Sequence, residues 1–369
     1  MQLSNLVAYI GTYSSTTTSF LPGGVHVWSL SADGRNATPI QFIEKPSEAG
    51  YLFYAKNLST LYVVDEKKTD GRGPVSAPAS VHAFDVNLTT AELTWKNSQI
   101  SPGANPTFLD YSAKHNALFI IQYSLANDGT IAGLQDVVVL DGHGPDPNGS
   151  PQSGGHAQAS AHAHSASVDP SDSFLAVADK GADRIYIYHV DGETLEPAYV
   201  FNATAGTGPR HVAWSQKSDP TWFFVTYELS SEVASFQIDP ETGSVTLLDV
   251  VSSVGTNFSR YNEPADIQVH PTNERLVYVN NRGEDTIAWF NVDDAGKLSL
   301  LGSVMLTQSL NAGVAARSFR FSPAGDFLLV ADRPENAIRA YSVDQGNGNL
   351  EQVATWAVSE PAFVCIVEF

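Results

Sequence analysis

Seven times along the chain a short alternating run of apolar residues recurs, and its spacing limits the folds open to it. The runs are Val25-His26-Val27-Trp28, Val81-His82-Ala83-Phe84, Val137-Val138-Val139-Leu140, Ile185-Tyr186-Ile187-Tyr188, Val233-Ala234-Ser235-Phe236, Ile287-Ala288-Trp289-Phe290 and Ile338-Arg339-Ala340-Tyr341. Successive starts lie 56, 56, 48, 48, 54 and 51 residues apart. A first apolar run precedes each, as in Leu61-Tyr62-Val63-Val64, Phe174-Leu175-Ala176-Val177 and Phe327-Leu328-Leu329-Val330. Period-two segments of this length read as strands, and no stretch sustains a helical period. A unit of about 50 residues made only of strands is the unit of a β-propeller blade. The repeat fills nearly all 369 residues. The expectation is therefore all-β: one domain over residues 1–369, a seven-bladed β-propeller.

The ends of the chain bear on how such a ring closes. The last four repeats carry a leading strand that ends in Asp169-Pro170, Ser215-Gln216, His270-Pro271 and Ser322-Pro323. Proline suits a strand end, where no ladder donor is needed. The first repeat lacks a leading strand, and Pro361-Ala362-Phe363-Val364-Cys365-Ile366-Val367 supplies one from the other terminus. The C-terminal strand is expected to complete the first blade and remove an open edge. Two aperiodic stretches, Ser14 to Gly24 and Asp141 to Ala163, read as loops, either over a channel mouth or on the surface.

The formal charge is −20 and only 16% of residues are charged. Such acidity excludes nucleic acid and anionic membrane as expected partners. No apolar run is long enough to span a bilayer as a helix. The single cysteine, Cys365, rules out an intrachain disulfide and lies in an apolar strand. Six Asn-x-Ser/Thr triplets, at Asn36, Asn57, Asn87, Asn148, Asn202 and Asn257, together with the acidity, point to a secreted glycoprotein whose leader is gone. A cytoplasmic protein is the alternative.

Comparing repeats locates a candidate site. Five residues before the third-strand run stand Lys180, Glu228, Arg282 and Arg333. Six residues before the leading strand's proline or its equivalent stand His164, Arg210, Ala265 and Arg317. One charged residue after a strand is ordinarily a solvated turn. Seven in register, on strand ends that should face a common axis, are not what a packed core selects. The local arginines contrast with the acidity of the whole chain and suit an anionic substrate.

The segments His162-Ala163-His164-Ser165-Ala166, Gly208-Pro209-Arg210-His211, Glu228-Leu229-Ser230-Ser231, Pro264-Ala265-Asp266-Ile267 and Asn281-Arg282-Gly283 resemble the lactonase family of seven-bladed propellers. That family includes propeller-type 6-phosphogluconolactonases and the fungal carboxy-cis,cis-muconate lactonising enzymes. Tyr9-Ile10-Gly11-Thr12-Tyr13 and Phe363-Val364-Cys365-Ile366 are similar to its termini. The resemblance implies a catalytic quartet of His164, Arg210, Glu228 and Arg282, the same four that the repeat comparison nominates. Lys180, Arg317 and Arg333 are added from the repeat as substrate-binding residues. The resemblance implies no metal and no cofactor.

Lactone hydrolysis needs a base for water, a counter-charge for the carbonyl oxygen and an acid for the leaving alkoxide. His164 and Glu228 can exchange the proton, and the two arginines can steady an oxyanion. Which of the first two is the base stays open at this point. The expected partner is a small molecule, anionic or a lactone, held in the central channel. Run in reverse, the same groups would make a cyclase or lactonising enzyme acting on a specialised metabolite. A non-catalytic interaction platform is the third reading, but Gly-His and Trp-Asp pairs do not recur in register. His143, His156, His162 and His164 have no acidic ligand at a defining interval, and Ser165 has no nucleophile-elbow motif around it.

Overall fold

The computed structural model describes residues 5–15, 21–66, 78–101, 106–119, 122–145, 157–191, 194–216, 219, 221–310 and 314–369. Among these, 28 strands form seven four-stranded antiparallel sheets. Within the fourth sheet, Ala163–Val168 leads, followed by Phe174–Asp179, Arg184–Val190 and Leu195–Asn202. The fifth and sixth sheets repeat this order from Pro209–Trp214 and from Glu263–Val269. Second strands such as Phe174–Asp179, Trp222–Tyr227 and Phe327–Asp332 are buried along their whole length. Fourth strands such as Val245–Ser252 bury few positions and meet solvent. The gradient explains why second strands read as continuous apolar runs and fourth strands leave little periodic signal.

The last strand, Pro361–Glu368, pairs with the first, Leu6–Thr12, with Val364 opposite Ile10 and Val367 opposite Val7. The expected completion of the first sheet by the C-terminus is observed. Six third strands begin one residue ahead of the expected runs: Gly24–Leu30, Ser80–Val86, Arg184–Val190, Glu232–Ile238, Thr286–Val292 and Ala337–Val343. The second and third sheets also have leading strands, Ala49–Ala55 and Asp110–Ser112, which the repeat comparison passed over.

The third sheet corrects one expectation. Its third strand is Gln122–Leu125, followed by Ile131–Asp136, and Val137 to Leu140 lie outside any strand. Val139 is 85% exposed. The run is as apolar as the third strand around Ile287 to Phe290, so apolarity alone does not separate the two. The true strand alternates more weakly, and Gly129, at φ +81°, turns the chain after it.

The chain separates into two compact units, Met1–Leu134 with Ser309–Phe369 and Gln135–Gln308. In the second unit, Phe174, Ile187, Trp214, Phe223 and Phe236 form one apolar cluster. Phe224, Ile267, Val279 and Phe290 form another. In the first unit, Tyr9, Tyr62, Val63 and Phe84 pack together.

Candidate functional site

The register of the leading strands explains why their first residues leave the ladder. Ala163 pairs with Asp179 and Ser165 with Ala178, so His164 is an extra residue. Pro209 pairs with Tyr227 and Val212 with Val225, leaving Arg210 and His211 opposite Thr226 alone. Pro264 pairs with Asn281 and Ile267 with Val279, which sets Ala265 and Asp266 opposite Asn280. A bulge of this kind re-aims side chains that a regular strand would send into its own faces. His164 and Arg210 are both bulge residues. Lys180 and Glu228 directly follow fully buried second strands, and Arg282 is the partly exposed last residue of the corresponding strand, Leu276–Arg282. Gly283 must follow Arg282: its φ is +121°, and a Cβ there would stand 2.3 Å from the Tyr261 carbonyl oxygen.

The second unit brings these residues together around one carboxylate. Glu228 Oε1 accepts from Lys180 Nζ at 3.0 Å. Its Oε2 lies 2.6 Å from Arg210 Nε and 3.3 Å from Arg282 Nη2. Arg210 Nη1 donates to the Ala265 carbonyl at 2.6 Å. Arg282 Nη2 also meets Glu263 Oε2 at 3.1 Å, and Tyr261 donates its hydroxyl to the same carboxylate. Arg210 and Glu228 are buried, while Lys180 and Arg282 keep some exposure. His164 stands beside them, its ring centroid 5.2 Å from that of His211. His211 Nδ1 lies 3.2 Å from Asp266 Oδ1.

Electrostatics divides the two proton-exchange candidates. Burial pushes the Glu228 carboxyl up, but Lys180, Arg282 and Arg210 outweigh it and hold the group well below the carboxylate range. Burial holds the His164 imidazole well below its usual value, and Arg210, Lys180, His211 and Arg282 push in the same direction. Near neutrality the cluster thus contains an ionised carboxylate, three cations and a neutral imidazole.

Arg317 and Arg333 belong to the other unit. Their guanidinium carbons lie 5.5 and 4.9 Å from the centre of the Tyr13 ring. Arg333 Nε pairs with Glu360 Oε2 at 2.6 Å, and Tyr13 donates its hydroxyl to Glu66 Oε2 at 3.0 Å. Glu48 is buried beside this group, with its backbone oxygen accepting from the Glu66 amide.

The sequence comparison missed Glu263, Glu48 and Glu360, and gave His211 and Asp266 no role. The three glutamates share one place, two residues ahead of the bulge in a leading strand, so a third line of register would have found them. His156 lies outside the described residues, as do 146–156 of the expected long loop and 16–20 of the shorter one. Among the described residues no group of three or more His, Cys, Asp or Glu could hold a metal ion, and no helix is long and apolar enough to cross a membrane.

Comparison with known proteins sets this geometry in a family. The family model described as "Lactonase, 7-bladed beta-propeller" matches residues 7–367. The chain belongs to this family. Its seven sheets are the seven blades of the lactonase propeller, and the expected fold class holds. The 6-phosphogluconolactonase of Bacillus subtilis is 25% identical over 99% of this chain and 98% of its own length. That of Yersinia pestis is 26% identical, covering 93% and 94%. A Lactobacillus plantarum protein has a TM-score of 0.82 at 26% identity, each chain covered in full. The periplasmic gluconolactonase of Pseudomonas aeruginosa shares the fold at 23% identity, with a TM-score of 0.82 over 98% of this chain and 99% of that one. Family membership and these named relatives support a hydrolase that acts on lactones.

Proposed function

We propose that this chain hydrolyses a sugar-acid lactone of the 6-phosphogluconolactone kind at the Glu228 cluster. The observation that carries the reading is the Glu228 carboxylate caged by Lys180, Arg210 and Arg282 with His164 beside them. Glu228 stands within ion-pair distance of three cations and accepts a hydrogen bond from Lys180, so its part is to hold them in place. His164 is the base. It takes a proton from water as the water oxygen bonds to the carbonyl carbon. The oxyanion that forms is met by Arg210 and Arg282, whose charge is worth most in a site shielded from water. When the ring carbon–oxygen bond breaks, the protonated His164 returns the proton to the departing alkoxide, and water and lactone become a hydroxy acid. Asp266 behind His211 orients the second imidazole against the first.

Lys180 is the substrate-binding residue of this cluster, and its ammonium, more exposed than the Arg210 guanidinium, suits an anionic lactone. For Arg317 and Arg333 we propose anion binding within their own unit. The purified protein, mixed with 6-phosphogluconolactone and separately with gluconolactone, is expected to open at least one of them well above the spontaneous rate. Ring opening at the spontaneous rate for both would refute the reading. Net formation of a lactone from an open acid would identify the cyclase instead.

A further inference from the structure

Glu263, two residues ahead of its bulge, faces Arg282 across its hairpin, and Glu360, in the equivalent place ahead of the last strand, holds Arg333 of a neighbouring strand pair. Glu48 has the same place in the second blade, but the residue across from it is Glu66, another carboxyl. Asp65 is also buried there. Glu48 is 5% exposed, and its Oε2 atom has no hydrogen-bond partner among the described residues. Gly50, the bulge residue, leaves the space that the Glu66 carboxyl fills: a Cβ there would stand 2.2 Å from Glu66 Oε1. Glu66 is engaged by Tyr13, and Glu360 by Arg333. Arg317 lies over Tyr13 and keeps part of its surface exposed.

We propose that Glu48, Arg317 and Arg333 form a second small-molecule site, which takes the carboxylate of an organic acid when Glu48 carries its proton. A protonated carboxyl donates to an incoming carboxylate, and Arg317, which keeps part of its surface exposed, supplies the counter-charge beside the Arg333–Glu360 pair. An ionised Glu48 would repel it. Burial raises the Glu48 carboxyl to about 7; Ser14 hydrogen bonds and Arg333 oppose this, and Asp65 adds to it. The other charged or titratable groups in contact with this set are Glu66, Glu360 and Tyr13. Protonation therefore switches near neutrality, and carboxylate affinity falls as pH rises through that value.

The site stands apart from the lactone reading, and its test does not depend on turnover. The probe is gluconate, whose charge is constant above about pH 5, measured by isothermal titration in an Arg210→Ala background that disables the Glu228 cluster. Circular dichroism would establish that this variant is folded, and the intact protein would be titrated in parallel. Gluconate is expected to bind about tenfold more tightly near pH 6 than near pH 8.5. Adding Arg317→Met should weaken it about tenfold, and Glu48→Gln should leave binding equal at both pH values. Binding that is absent from both proteins, indifferent to pH, or unmoved by Arg317→Met would overturn the proposal.

Discussion

Glu228 and Glu48 are both buried carboxyls, and their neighbours push them in opposite directions. Three cations overcome the burial of Glu228, so its native form stays ionised, and the stability it adds is lost as pH falls below the unfolded value near 4.5. His164 acts in the same sense: held below 6.5 in the native state, it costs stability as acid forces a proton onto it. Glu48 has the reverse sign. With a native value of about 7 against 4.5 unfolded, it binds a proton in the folded state that the unfolded chain releases. Its stabilisation is present at low pH and lost as pH rises through 7. Glu48→Gln should therefore melt higher than the parent at about pH 8.5 and no higher at about pH 5. Melting curves that shift equally at both pH values would contradict the assignment.

The repeated bulge at the head of the leading strands connects sequence to site. It displaces His164, Arg210 and Asp266 in the second unit and makes room for Glu66 at Gly50 in the first. Gly50→Ala is expected to cost about 1–3 kcal/mol in urea unfolding, because a buried carboxyl must move to admit one methyl group. An unchanged midpoint would show that the close approach is not needed. The positions after the second strands were legible because a short motif recurs: Val-Ala-Asp-Lys at Lys180, Val-Asn-Asn-Arg at Arg282 and Val-Ala-Asp-Arg at Arg333. Val-Val-Asp-Glu at Glu66 belongs to the same series but escaped, since residues 67–77 lengthen the step to the next strand and defeat a fixed count. Tyr13, after Ile-Gly-Thr, escaped because the first repeat's insert breaks the same count. The third blade was misregistered because its true third strand, Gln-Tyr-Ser-Leu, is less apolar than the exposed valines that follow. Pairings such as Arg210 with Glu228 join residues of two hairpin strands, and no local pattern encodes which cation reaches which oxygen.

At the scale of the molecule, both termini belong to one sheet, and one unit is assembled from the two ends of the chain. We propose that the whole chain folds as a single domain. Thermal unfolding followed by tryptophan fluorescence and by far-ultraviolet circular dichroism should then give coincident single transitions, whereas two separated midpoints would divide it. We propose that lactone chemistry depends on the Glu228 cage, a cluster of cations in a chain whose net charge is −20. The most direct measurement is kcat/KM for lactone opening in Glu228→Gln, which keeps the side chain's shape and removes the charge that fixes three cations. With the variant shown to be folded at the assay temperature, a loss of about a hundredfold or more is expected. Activity within about twofold of the parent would contradict it.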